Sequence, residues 1–171
     1  MSSPSALEER RDELLFELVK FRFEQEWARV KDLDDKSSNL VGFVSIATSF
    51  LLGIGTVTFT SLQKLSGLLF LIFFVGMGLL IISIFFGMMA LKVRKWDLVP
   101  DPLVLLSKYK ESSFLATIRR TGGEMVKVTN EIVVKSNSKA AHIDHAWYTL
   151  VGGLIAVFIF VIGLVLATPG S

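Results

Sequence analysis

The chain has 171 residues, 51% of them hydrophobic, with 18 Lys/Arg, 16 Asp/Glu, two His and no Cys. That length fits one domain; the absence of Cys excludes disulfides, thiolate chemistry and Cys-ligated metals, and a formal net charge of +2 argues against a nucleic-acid partner. So apolar a chain stays compatible with so many charges only if the two kinds of residue are segregated, and residues 37–63, 65–91 and 145–171 contain no Asp, Glu, Lys or Arg.

Residues 1–36 come first and carry seven Lys/Arg and ten Asp/Glu. No cleavable signal peptide is expected, and the first apolar run must direct its own insertion. The segment is predicted to be a cytoplasmic amphipathic helix over 5–36. Ser5 and Glu8 have capping-box spacing. Leu7, Leu14, Leu15, Leu18, Phe23, Trp27, Val30 and Leu33 recur at helical intervals as one apolar stripe, broadened by Phe16 and Phe21. In "DLDDKSSNLVGF" (32–43) the charges Asp34, Asp35 and Lys36 lead into the uncharged run without a Pro, so the helix is expected to continue into it. These charges either mark the water–lipid boundary or pair with the second cytoplasmic segment.

Three transmembrane helices follow from the uncharged runs, at 37–63, 67–91 and 147–168, since a span needs about 20 mostly apolar residues. The first is rich in small and hydroxyl side chains. Its Ser45, Ser49 and Gly53 stand four apart, the spacing that lets helices approach closely. With Gly152 and Gly153 of the third span they are the packing or oligomer candidates, either between spans one and three or between protomers. The second span, Leu/Ile/Phe-rich, reads as lipid-facing.

Residues 64–66 form a short loop, and 92–146 a cytoplasmic segment with ten Lys/Arg. In it, Asp101 and Pro102 open a short helix, Ser112 caps "FLATIRR", Gly122-Gly123 breaks the chain, and a second long helix runs from Glu124 into the third span. Packing is expected between the Leu/Phe/Trp stripe and the Met125, Val128, Ile132 side of that helix. Basic residues stay inside, which places the N-terminus in the cytoplasm and the tail 169–171 outside. The predicted fold is thus an all-α, multi-pass protein of the cell membrane, with long cytoplasmic extensions of the first and third spans.

Chemistry-bearing patterns are few. His142, Asp144 and His145 could hold a metal, but beside Trp147 they read better as interfacial polar residues. "GIGTVTF" (53–59) and "TGGEMVK" (121–127) lack the ending of a phosphate loop. No span carries a charge that would mark an ion path. Neither an enzyme nor a cofactor is expected. Asn130 and Asn137, with Lys135 and Lys139 nearby, are polar positions that either set register or bind a small polar ligand.

"DLDDKSSNLVGF" resembles the D-x-K-A motif at the entry to the first membrane helix of the Pycsar membrane effectors, and the layout is similar to that of SLATT-domain effectors. "YKESSFLATIRR" before "NEIVVKSNSKAAHIDHAW" is similar to their second motif. The likeness covers roughly residues 25–165. Ser37 stands where the family usually has Ala. The resemblance assigns ligand or switch roles to Asp34 or Asp35, Lys36, Asn130, and Lys135 or Lys139. It implies a homo-oligomeric antiviral effector that senses a cyclic nucleotide and permeabilises the bilayer. The alternatives are a non-enzymatic scaffold subunit of a membrane complex and a small ligand-independent channel.

Overall fold

The computed structural model describes residues 6–62, 67–92 and 114–167, and every element among them is helical. Helix α1 spans Ala6–Leu62, α2 spans Gly67–Leu91 and α3 spans Phe114–Ala167. The expected helix at 102–110, the caps at Ser5 and Ser112, the loop 64–66 and the tail 169–171 lie outside the described residues.

The unbroken run of α1 matches the absence of Pro between Ala6 and Leu62. Helix α3 departs from expectation, because it starts at Phe114 and passes straight through Gly122-Gly123. Each glycine costs a helix roughly 1 kcal/mol relative to Ala. Neither adopts a positive φ, so neither ends the helix. At Gly122 a Cβ would sit 3.8 Å from the Phe16 ring; the position lies against α1 rather than at a turn.

The chain divides into two compact units, Met1–Asp32 with Val93–Asn137, and Leu33–Lys92 with Ser138–Ser171. Helices α1 and α3 contribute residues to both.

In the first unit the two helices run parallel. Asp12 pairs with Arg119 and Arg29 with Asn137, separations of 107 and 108 residues. Their facing residues follow a three–four spacing: Asp12, Phe16, Val19, Phe23, Glu26 and Val30 on α1, and Gly122, Met125, Thr129, Ile132 and Ser136 on α3, all buried or half-buried. That spacing is the seam of a left-handed helix pair. It bears out part of the expected stripe and corrects the rest: Phe23 and Val30 face inward, joined by Phe16 and Val19, whereas Leu14, Leu15, Leu18 and Trp27 are exposed. The expected α3 side is observed, with Met125 and Ile132 buried and Val128 half-buried.

In the second unit all three helices contribute to one core, built on Leu40 and Val44 of α1, Met77 and Leu80 of α2, and Ala146, Leu150 and Val157 of α3. Helix α2 is antiparallel to α3. Ser83 Oγ donates to the Ala146 carbonyl at 2.7 Å, and further along Gly76 lies against Gly153. Ser37 Oγ ties α1 to α2 by donating to the Gly87 carbonyl at 2.8 Å. Helix α2 is therefore not simply lipid-facing. Gly76, Met77, Leu80, Ser83, Gly87 and Ala90 are buried, because small residues on one face let its backbone approach its neighbours.

Two helices, Gly67–Leu91 and Phe114–Leu166, are long and apolar enough to cross a membrane, and only 22% of the most apolar window of each is buried. Helix α1 is not among them on its described residues.

Candidate functional site

Two of the sequence candidates, Asp34 and Lys139, meet in the second unit. Lys139 Nζ donates to Asp34 Oδ1 at 2.5 Å. The Lys139 side chain is 5% exposed and that of Asp34 is 42% exposed. The lysine occupies a seam position of α3, three residues after Ser136 and four before Ile143, both buried. Burying an ammonium is costly unless it is paired, and the carboxylate on α1 supplies such a partner. The pair is asymmetric: the cation is enclosed, while its anion reaches solvent. An incoming anion would meet Asp34 first and compete with it for the same amine.

Asp35, Lys36 and Asn130 are exposed. Lys135 lies 3.8 Å from Glu131 on its own helix. Asn137 accepts a hydrogen bond from Arg29 at 2.9 Å. Of the alternatives left open by the resemblance, Asp34 and Lys139 are two that touch.

The first unit carries a second cross-helix pair, which sequence reasoning missed. Arg119 Nε donates to Asp12 Oδ2 at 2.6 Å, with the Asp12 side chain 6% exposed and that of Arg119 57% exposed. The Arg119 hydrogen bond holds the Asp12 carboxyl below its ordinary value; burial pulls the other way, and the charges of Arg119 and Arg11 reinforce the lowering. Beside this pair lies a hollow of about 190 Å³ lined by Leu15, Phe16, Val19, Ile118, Gly122 and Val126. The missed signal was spacing, since Asp12 stands four residues before Phe16 on the inner line.

The packing candidates separate into two groups. Ser49 and Gly53 are exposed; Ser49 Oγ donates to the Ser45 carbonyl of its own helix, and nothing lies within 4 Å of a Cβ built on Gly53. Gly153 is closed: a Cβ there would lie 2.9 Å from Leu80 Cδ2 and 3.1 Å from the Gly76 carbonyl oxygen. A Cβ on Gly152 would touch Leu79 at 3.5 Å. The glycine pair of α3 thus faces α2 rather than α1.

At "HIDH" both rings approach Phe86 of α2, with centroids 6.4 Å from His142 and 5.5 Å from His145. His145 Nδ1 lies 2.5 Å from the Ala141 carbonyl oxygen. A carbonyl only accepts, so Nδ1 carries the proton there. Asp144 is exposed, and among the described residues no group of three His, Cys, Asp or Glu is placed to hold a metal.

No family model, curated protein or solved structure matches the chain.

Proposed function

We propose that the protein is a non-enzymatic, homo-oligomeric effector of the cell membrane, crossing it three times, with residues 1–36 and 92–146 in the cytoplasm and the C-terminus outside. On this reading it couples a cytoplasmic ligand, a cyclic nucleotide by the resemblance, to membrane permeabilisation in antiviral defence. The observation that carries the reading is the Asp34–Lys139 pair. It joins a residue of the first resemblance motif to one of the second, it encloses a cation behind a solvent-reachable anion, and it lies on the two helices that take part in both units. A phosphate that replaced Asp34 on Lys139 would alter the contact between α1 and α3. For this to switch the protein, the ligand must prefer one helix packing over the other.

The test is dye leakage from liposomes holding the purified protein, with a panel of cyclic mono- and dinucleotides. Leakage triggered by one nucleotide, and lost in Lys139→Met, is the expected outcome. Leakage without ligand points instead to a constitutive channel. Silence under every nucleotide, in folded protein, favours the scaffold reading, for which the exposed Leu14, Leu18 and Phe21 would be docking residues.

A further inference from the structure

Helix α1 carries two lines of three–four spacing within the first unit. The inner line meets α3. The outer line runs through Leu14, Leu18, Phe21, Gln25 and Ala28, all exposed. Its large side chains are far from covered: Leu14 is 59%, Leu18 62% and Phe21 58% exposed. With Leu14 and Phe21 at d and Leu18 at a of a heptad, Glu17 and Glu24 fall at g, and Arg22 and Arg29 at e.

The charges decide what can cover this line. In a parallel pair of such helices each g residue meets the next e residue of its partner. Glu17 then meets Arg22 of a second copy, and Glu24 meets Arg29. In an antiparallel pair g faces g and e faces e, which sets Glu against Glu and Arg against Arg. The pattern is self-complementary in one orientation alone. An anionic lipid surface is a poor occupant, because Glu13, Glu17 and Glu24 flank the stripe. We infer that the outer line of α1 over residues 14–28 is a parallel homodimerisation seam whose occupant is the same line of a second copy. The Glu17–Arg22 contact carries most of the orientation, since Arg29 is already engaged by Asn137 and Glu26. This rests on the proposed three-span reading in one respect: copies inserted alike in one membrane meet in parallel.

The chain has no native Cys, which makes a clean test available. Leu14→Cys, Leu18→Cys and Phe21→Cys are made singly in the full chain and oxidised gently in native membranes. A disulfide needs the two Cα atoms within about 7 Å. The seam predicts covalent dimers at all three positions and none at Lys20→Cys, which lies off the line. Glu17→Arg should lower the yield several-fold in the Phe21→Cys background, and adding Arg22→Glu should restore it. Dimers at one of the three positions only, the mark of an antiparallel crossing, overturn the inference. So does the absence of dimers at all three, or a double reversal that fails to restore. Alkaline extraction of the same membranes separates the two claims. Protein that stays in the membrane without cross-linking sinks the seam alone; protein that cross-links but is extracted sinks the three-span reading alone.

Discussion

The two units use the same three–four spacing with different side chains. In the first, the line on α1 contains Asp12, Phe16, Phe23 and Glu26, and its polar members are met by ionic partners such as Arg119. In the second, the lines contain Ser37, Gly76, Ser83, Gly87 and Gly153, and hydroxyls donate to backbone carbonyls across the helices. On the proposed membrane reading, the difference corresponds to two solvents. In water, burying a Phe or Val contributes about 1.5–3 kcal/mol, so large residues suffice and charges outside stay hydrated. In lipid there is no such drive between helices, and close backbone approach and hydrogen bonds must hold them together. Spacing sets which residues face inward; the solvent sets which residues work there.

The sharpest way to break this comparison is to fill the close approach. Gly153→Leu must displace Leu80 and the Gly76 backbone. Overpacking of this kind costs about 1–3 kcal/mol, occasionally more, and should lower the unfolding temperature in detergent. Gly42→Leu, on an exposed position with nothing within 4 Å, should leave it nearly unchanged. Equal losses in both would show that α2 and α3 do not meet as described.

The buried pair gives a comparable effect with an asymmetry. Asp34→Ala leaves the enclosed Lys139 ammonium without this carboxylate, a loss of about 1–3 kcal/mol. Lys139→Met removes the enclosed charge and keeps the volume, and should cost less than about 1 kcal/mol. Chemical unfolding of the two variants checks this. The reverse ranking would mean that the amine is solvated.

The smallest effect is expected at Asp12, because its partner Arg119 is more than half exposed and screened by water. The Asp12 carboxyl is held below its ordinary value of 3.8. Its contribution is therefore present above that value and is lost as pH falls below it, through the lowered folded value. Asp12→Asn should lower stability slightly at neutral pH, where the contribution is present, flatten the acid limb of a stability–pH curve, and converge with the parent protein at low pH.

Much of the helical outline was legible in the sequence, for identifiable reasons. The charge-free run 65–91 gave the bounds of α2, the absence of Pro gave the continuity of α1, and Met125 and Ile132 marked the inner side of α3. The α1 stripe was harder, because hydrophobicity alone ranks Leu14 and Leu18 above Asp12 and Glu26, and only the partner helix supplies Arg119. Gly122-Gly123 misled for a similar reason, since a glycine facing a neighbouring Phe resembles a helix breaker in one dimension. At the candidate site the residue types were visible, but which Asp meets which Lys depends on the register between helices 105 residues apart.

The central claim is that α1, α2 and α3 each cross one membrane, with the charged halves of α1 and α3 on the same side. The most direct measurement is labelling of single-Cys variants with a membrane-impermeant maleimide, on sealed cells and on inverted vesicles. The account predicts that Lys20→Cys and Val126→Cys are labelled only from the cytoplasmic face, and Gln63→Cys and Ser171→Cys only from the outside. Labelling of all four from one face would contradict it.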